Sequence, residues 1–157
     1  MKIIKGNLIT LALAGEFDVI SHGCNCFCTM GAGIAPQMAK AFGADTFKME
    51  HESWRGDYNK LGQIDFELVN VENKPDMIVV NSYTQYGFGR NHEGGTKTPL
   101  DYVALEMCMQ KINHMFKGSR VGLPWIGCGL AGGDKNRVKE ILERTLTDVD
   151  LTIVELN

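Results

Sequence analysis

Residues 25–35 read NCFCTMGAGIA and residues 121–134 read VGLPWIGCGLAGGD, two stretches that are rich in glycine. Each follows or begins with a short apolar run and leads directly into a segment with helical periodicity, which indicates a strand, a glycine turn and a helix. A helix N-terminus presents unpaired backbone N–H groups and the positive end of the helix dipole, and glycine lets an anion approach the chain closely. We therefore predict two anion sites that together could clasp a diphosphate.

Each glycine stretch also has a simpler interpretation, a tight turn that needs a positive φ angle. A dinucleotide-binding motif is a further alternative, because Gly127, Gly129 and Gly132 match the spacing G-x-G-x-x-G. That motif should open a βαβ unit with more sheet behind it, yet only 25 residues follow Gly132. The sequence also lacks a glycine-to-lysine loop of the Walker type, which argues against an NTPase.

Short runs rich in Ile, Val and Leu predict the β-strands of the domain. They occupy residues 2–4, 17–21, 64–68, 77–81, 120–123 and 151–156. Residues 64–68 alternate with period two, which is typical of a half-exposed edge strand, whereas residues 77–80 are continuously apolar and suit a strand covered on both faces. The sheet is therefore predicted to be mixed.

Apolar stripes with helical spacing lie between the strands. They consist of Ile34, Met38 and Phe42; of Tyr102, Leu105, Met109, Ile112 and Phe116; and of Val138, Ile141, Leu142 and Leu146. Strands that alternate with helices imply parallel crossovers, so we predict a three-layer α/β/α architecture around a mixed, largely parallel sheet. Ligands are expected outside the carboxyl ends of such strands. The length of 157 residues predicts one domain, residues 1–157.

One long irregular stretch is predicted at residues 83–99, and loops of this length are often functional. We interpret it as a candidate lid in which Tyr86, Phe88 and Arg90 could cover a sugar or a terminal phosphate. The alternative is a solvated loop with no role in binding.

Composition restricts the partners of the protein. The net charge is -3 without any run of lysine or arginine, so binding to long nucleic acid is not expected. Residues 1–12 are too polar for a signal sequence or a membrane span. The five cysteines are odd in number, and three are crowded at positions 24, 26 and 28, unlike a secreted disulfide framework. We therefore expect a cytoplasmic protein with reduced thiols.

Four segments resemble the macro-domain family, and most closely its branch that includes ADP-ribose 1''-phosphate phosphatases and terminal ADP-ribose glycohydrolases. They are residues 5–9, residues 21–26 with 30–35, residues 81–85 and residues 123–134. The second and fourth segments are the specific ones. The resemblance extends over nearly the whole chain and implies the macro-domain fold.

The resemblance implies a set of ligand-binding residues. Asn7 stands where the family usually has an aspartate that holds the adenine amino group, and an amide oxygen can accept the same hydrogen bond without a charge. Leu8 would offer its backbone beside the base, while Asn25 and Gln85 would lie near the distal ribose. The phosphates would contact Gly31, Ala32, Gly33 and Ile34 on one side and Ile126, Gly127, Cys128, Gly129, Leu130 and Ala131 on the other.

The resemblance also implies catalytic residues, although not those of the glycohydrolases. Those members use a lysine after the central strand and an aspartate after Gly-Leu, where this chain has residues 83–85 (YTQ) and Ala131. The phosphatase-like members are similar at His22 and Asp134. We hypothesise that Asp134 activates the attacking water and His22 acts as general acid, while loop amides stabilise the transferring phosphoryl group. Asn25 completes the predicted catalytic set.

These catalytic candidates have structural alternatives. Asp134 directly precedes a predicted helix, where aspartate is a preferred N-cap, and both roles can coexist. His22 could be a partly buried strand residue that is hydrogen-bonded to backbone. His22, Cys24, Cys26 and Cys28 share parity along an extended chain, but their spacing lacks the paired knuckles of structural zinc, so no metal is predicted.

Together these inferences predict a hydrolase of free ADP-ribose derivatives, with ADP-ribose 1''-phosphate as the first choice of substrate. The alternatives are a non-catalytic reader that binds ADP-ribose and changes nothing, and a hydrolase that removes ADP-ribose or acyl esters. The predicted partner is ADP-ribose or a derivative as a small-molecule ligand. We predict no cofactor and a monomeric protein.

Overall fold

The computed structural model describes residues 1–89 and 96–157. Arg90 of the predicted lid lies outside the described residues. Strands and helices alternate along most of the chain, although two helices and then two strands follow each other in its middle part. The strands are β1 (Lys2–Lys5), β2 (Val19–Asn25), β3 (Ile64–Val69), β4 (Met77–Gln85), β5 (Arg120–Leu123) and β6 (Asp150–Glu155). The α-helices are α1 (Leu8–Leu13), α2 (Ala35–Phe42), α3 (Lys48–His51), α4 (Tyr102–Met115) and α5 (Lys135–Thr145). Short 3₁₀ turns occupy Ala44–Thr46 and Tyr58–Lys60.

The strands form one sheet in the order β1-β6-β5-β2-β4-β3. All neighbouring strands are parallel except β3, which pairs antiparallel with β4 at the edge of the sheet. The predicted mixed, largely parallel sheet is confirmed, and so is the edge position of residues 64–68. Parallel neighbours need crossover connections, and the helices provide them.

Two apolar cores cover the two faces of the sheet. Leu105 of α4 and Leu142 of α5 belong to one core and are completely buried. Met38 of α2 and Leu8 of α1 belong to the other. Because each face is covered by helices, the layers are α/β/α as predicted. No helix within the described residues is long and apolar enough to cross a bilayer.

Strands β2 and β4 continue beyond the ends that the apolar runs predicted. Most of the added residues are polar, and side chains of the two strands form hydrogen-bonded pairs inside the sheet. The Ser21 and Ser82 hydroxyls lie 2.7 Å apart, and His22 Nε2 lies 2.7 Å from Asn81 Oδ1. Such pairing removes the cost of burying polar groups. The prediction that the irregular stretch begins at Tyr83 is therefore wrong, since β4 runs to Gln85.

Helix α1 is an element that the sequence analysis did not predict. Its N-cap is Asn7, whose Oδ1 accepts a hydrogen bond from the backbone N–H of Thr10 at 3.1 Å. Leu8 and Ala12 share the buried face of the helix. An asparagine followed by apolar residues four positions apart is a helix-start signal, and it could have revealed α1.

Candidate functional site

The two glycine stretches meet because β2 and β5 are parallel neighbours at the centre of the sheet. Val19 pairs with Val121 and Ile20 with Gly122, so both strands end at the same edge. We call residues 26–34, between β2 and α2, the first glycine loop, and residues 124–134, between β5 and α5, the second glycine loop. Parallel strands of this kind bind ligands at their carboxyl ends.

A cavity of about 980 Å³ lies between the two glycine loops. This loop cavity is at the upper end of the range of about 300–1,000 Å³ that small-molecule sites occupy. The structure places around it every residue that the sequence analysis named as ligand-binding, together with Asn25; their contact with a ligand stays a prediction. These residues are Asn7, Leu8, Asn25, Gly31, Ala32, Gly33, Ile34, Gln85, Ile126, Gly127, Cys128, Gly129, Leu130 and Ala131.

The first glycine loop is shaped by the side chain of Asn25. Its Oδ1 accepts hydrogen bonds from the backbone N–H groups of Phe27 and Thr29 at 3.0 and 3.3 Å, and its Nδ2 donates to the carbonyl of Thr29 at 2.9 Å. Asn25 therefore builds the turn. Helix α2 begins at Ile34 without a side-chain cap. Since Pro36 has no N–H and the Gln37 N–H donates to the Ile34 carbonyl, the N–H of Ala35 is the one that this first turn leaves for an anion.

The second glycine loop folds back on itself. The N–H of Gly133 donates to the carbonyl of Gly127 at 2.7 Å, and Gly127 has a φ angle of 75°. A Cβ at Gly127 would lie 2.6 Å from the Leu100 side chain, so only glycine fits there. A Cβ at Gly129, in contrast, would meet no heavy atom within 4 Å. The loop is closely packed at Gly127 and open at Gly129.

A charged cluster at the edge of the loop cavity was missed by the sequence analysis. Glu155, the last residue of β6, accepts hydrogen bonds from Trp125 Nε1 at 2.8 Å and Lys5 Nζ at 2.8 Å, and it also pairs with Lys135. These donors, Lys135 foremost, lower the pKa of Glu155 to about 2. Lys135 Nζ lies 4.9 Å above the Trp125 ring. The carboxylate is therefore ionised and fully engaged at neutral pH.

The structure does not bring His22 into the loop cavity. The side chain is completely buried on the α2 side of the sheet, and Asn81 Nδ2 donates to the Ala44 carbonyl, which turns Asn81 Oδ1 toward His22 Nε2. Within the described residues, Nδ1 has no hydrogen-bond partner. Burial lowers the pKa of His22 to about 4, although the bond to Asn81 opposes this. His22 is therefore a buried residue outside the lining of the loop cavity, and its role as a general acid stays a prediction.

Asp134 is the N-cap of α5. Its Oδ1 accepts hydrogen bonds from the N–H groups of Asn136 and Arg137 at 2.8 and 3.2 Å, and its own N–H donates to the Tyr102 hydroxyl at 2.8 Å. The side chain does not line the loop cavity, whereas the next residue, Lys135, does. The N-cap interpretation is confirmed. Its Oδ1 is directed at its own helix, and the role of Asp134 as the base that activates water stays a prediction.

Part of the predicted lid lies at the loop cavity. Phe88 and Gly89 line it, and Phe88 is 46% exposed. Tyr86 lies behind them, with its hydroxyl donating to the Gly56 carbonyl at 2.9 Å and its ring stacked on Tyr58. Tyr86 is therefore a structural residue, and Phe88 is the described aromatic residue of this segment that can reach a ligand.

No metal site is evident in the part of the chain that the structure describes. No group of three or more His, Cys, Asp and Glu side chains in residues 1–89 and 96–157 is arranged to hold a metal ion. All five cysteines have free thiols.

Comparison with known proteins finds one relative by sequence and many by structure. An uncharacterised 17.5 kDa protein from the tk-vs intergenic region of Enterobacteria phage T4 is 34% identical over 162 residues, which cover 99% of this chain and 96% of that protein. Models of protein families give no match.

Two solved structures of bacterial proteins have the same fold and match this chain over nearly their whole length. A Bacteroides thetaiotaomicron protein is 25% identical with a TM-score of 0.76, over 99% of both chains. A macrodomain protein from Streptomyces coelicolor is 22% identical with a TM-score of 0.67, over 98% of this chain and 97% of that one. Thermosipho africanus DarTG in complex with ADP-ribose is 15% identical with a TM-score of 0.70, over 100% of this chain and 42% of that one.

The pH dependence of stability tests the placement of His22. Because its pKa is about 4 in the folded protein and about 6.5 in an unfolded chain, the unfolded state binds the proton first as the pH falls. The stabilisation from this group is complete above the unfolded pKa and is lost toward the folded one, at about 1.4 kcal/mol per pH unit.

Urea unfolding of the wild type and of His22→Gln, at about pH 7 and about pH 5, measures this effect. We expect the wild type to lose about 2 kcal/mol more than the variant between these two conditions. Equal losses of unfolding free energy in the wild type and the variant would mean that the pKa of His22 is not lowered in the folded protein.

Proposed function

Because this chain belongs to the same family as the 17.5 kDa phage T4 protein and has the macro-domain fold, we propose that it binds an ADP-ribose-like nucleotide in the loop cavity. The observation that carries the proposal is the convergence of two glycine loops, each leading into a helix N-terminus, on one cavity. Backbone N–H groups of both loops, together with the N-terminus of α2, which has no side-chain cap, suit a diphosphate. The complex of Thermosipho africanus DarTG with ADP-ribose, a protein of the same fold, supports this choice of ligand.

The chemistry of the cavity lining suggests how the nucleotide would lie. One part combines the amide of Asn7 with the apolar side chains of Leu8, Val154 and Leu156, which suits a base. The diphosphate would occupy the space between the loops. The distal ribose would face the amide-bearing part of the lining, formed by Asn25 and Gln85, with Phe88 beside it.

Blocking the second glycine loop tests the binding proposal. In Gly129→Val the new side chain has room in the fold but occupies the loop cavity. We expect the affinity for ADP-ribose in calorimetric titration to fall by about tenfold or more, equivalent to about 1.4 kcal/mol. The unfolding free energy should change by less than about 0.5 kcal/mol.

Val103→Ala is the matched control, because Val103 is an exposed residue of α4 outside the cavity lining and its change should leave the affinity unaltered. Equal affinity of Gly129→Val and the wild type would contradict the proposed position of the ligand. Failure of the wild type to bind would contradict the function itself.

Removal of the terminal phosphate of ADP-ribose 1''-phosphate is the second candidate function. It is favoured by the many backbone donors of the two loops, because phosphoryl transfer depends mainly on positioning and on electrostatic stabilisation of the transferring group. Among the described residues, the cavity lining contains one carboxylate, Glu155, which is ionised and engaged with three donors. A general acid or base is therefore not evident in this part of the chain, and binding remains the better supported function.

Phosphate release from ADP-ribose 1''-phosphate separates the two candidates. If the protein is a phosphatase, we expect the wild type to release more than one molecule of phosphate per molecule of protein. Asp134→Asn should release phosphate equally well, because asparagine caps helices as well as aspartate does. Saturable binding without release would leave a reader of ADP-ribose. Release that Asp134→Asn abolishes, with ADP-ribose affinity retained, would mean that the carboxylate takes part in the chemistry.

Asn7 offers a test of the base end of the cavity. Since a backbone N–H can only donate, the atom that faces Thr10 is the amide oxygen, and the described residues provide no hydrogen-bond partner for Nδ2. A free N–H donor fits the carbonyl O6 of hypoxanthine, and the second lone pair of the oxygen can still accept from the amino group of adenine. The wild type should therefore bind ADP-ribose and its inosine analogue with affinities within about threefold of each other.

Asn7→Asp is the matched variant, because both oxygens of a carboxylate accept hydrogen bonds while the helix cap is preserved. We expect it to prefer ADP-ribose over the inosine analogue by about tenfold. A wild type that already prefers one of the two nucleotides by about tenfold would mean that Asn7 does not contact the base. A variant that binds both nucleotides equally would mean the same.

A further inference from the structure

Lys60 is a buried lysine whose amine contacts a thiol. It ends the 3₁₀ turn Tyr58–Lys60 and is only 2% exposed. Its Nζ lies 3.0 Å from Cys28 Sγ and 3.4 Å from the carbonyl oxygen of Cys26. Lys60 forms no ion pair with a carboxylate in the described ranges 1–89 and 96–157. A buried amine normally has such a partner, because burying an unpaired charge is costly.

The partner, Cys28, lies within the first glycine loop. Cys28 is 8% exposed and its φ angle is 60°. Its Sγ lies 3.4 Å from the carbonyl oxygen of Met49. Burial raises the pKa of the Cys28 thiol, while the hydrogen bond from Lys60 opposes this rise. The buried Glu50, whose Oε1 accepts a hydrogen bond from the Tyr83 hydroxyl, also interacts with the Cys28 thiol and raises its pKa further. The sulfur and the nitrogen are thus held in contact beside a carboxylate, in a largely buried site.

The other cysteines have different neighbours. Cys26, Cys108 and Cys128 donate to backbone carbonyls, and Cys24 lies 3.5 Å from the ring of His22. Among the described residues, the hydrogen bonds place an amine next to the sulfur of Cys28 and of no other cysteine. The chain therefore contains internal controls for any reaction that needs a neighbouring amine.

We propose that Cys28 and Lys60 form a peroxide-driven covalent cross-link, a sulfenamide between Sγ and Nζ. In the first step the Cys28 thiol passes its proton to Lys60 Nζ, the thiolate attacks hydrogen peroxide, the O–O bond breaks, and the resulting Lys60 ammonium gives the proton to the leaving hydroxide. The products are Cys28 sulfenic acid, neutral Lys60 and one water. Sulfur loses two electrons in this step and the peroxide gains them.

In the second step the neutral amine attacks the sulfenic sulfur. The N–S bond forms, the S–O bond breaks, and the leaving hydroxide takes a proton from the nitrogen to give a second water. Sulfenic acids condense with thiols and with backbone nitrogen in the same way. The net reaction consumes one peroxide and removes two hydrogens from the protein. A thiol reductant would reverse it.

The cross-link would tie the first glycine loop to the segment at residues 58–60. Cys28 lies three residues before Gly31, and Arg55 already donates to the carbonyls of Phe27 and Cys28 at 3.1 and 3.2 Å. A covalent bond is much shorter than the 3.0 Å contact, so its formation would draw the loop toward Lys60. This inference rests on the two side chains and does not depend on the proposed function.

Peptide mapping of the full-length wild type after hydrogen peroxide treatment and alkylation tests the cross-link. We expect a product that lacks two hydrogens, with the peptide of Cys28 joined to that of Lys60, no tryptic cleavage after Lys60, and reversal by dithiothreitol. A Cys26–Cys28 disulfide has the same mass, so the fragment spectra decide. A disulfide in place of the cross-link would overturn the proposal, and so would Cys28 sulfinic acid beside a free Lys60.

Variants give a second and independent readout. Cys28→Ser and Lys60→Arg should each abolish the joined peptides, because the first lacks the sulfur and the second lacks the nucleophilic amine. Cys108→Ser should retain them, since Cys108 has backbone carbonyls as its sulfur partners. Joined peptides that persist in Cys28→Ser would mean that another cysteine reacts. If a variant does not fold, the mapping of the wild type remains decisive.

Discussion

The parallel pairing of β2 with β5 is the interaction on which the proposed site depends. It is short, since Val19 pairs with Val121 and Ile20 with Gly122, and yet it brings together two segments that are about a hundred residues apart in sequence. Because both strands point the same way, both glycine loops leave the sheet at one edge. The helices that follow then turn their N-termini toward the same space. A different strand order would separate the loops and leave two unrelated turns.

The chemistry of the loop cavity follows from this arrangement. Its lining is composed mainly of glycine, apolar residues and side-chain amides, and the described charges in it, Lys135 and Glu155, neutralise each other. An anionic ligand would therefore be recognised by backbone N–H groups of the loops and by the α2 N-terminus more than by cationic side chains. Such recognition would not require a positive net charge, and the net charge of this protein is -3.

The sequence predicted the framework and the cavity lining well, because both depend on local signals. Apolar runs revealed the strands, and glycines before helical stripes revealed the loops and hence residues such as Gly33 and Gly129. The buried polar pairs that extend β2 and β4 could not be predicted, since the partnership of His22 with Asn81 joins residues far apart in sequence. His22 was selected as a candidate from the family resemblance, and a resemblance carries no information about the complete burial of the side chain. Lys135 and Glu155 were missed because only the fold brings them together.

A structure of the protein with ADP-ribose tests the proposed binding site most directly. We predict that the diphosphate lies within hydrogen-bond distance of backbone N–H groups from both glycine loops, with the base beside Asn7 and Leu8 and the distal ribose beside Gln85. A nucleotide bound outside the loop cavity, or held by one loop alone, would contradict it.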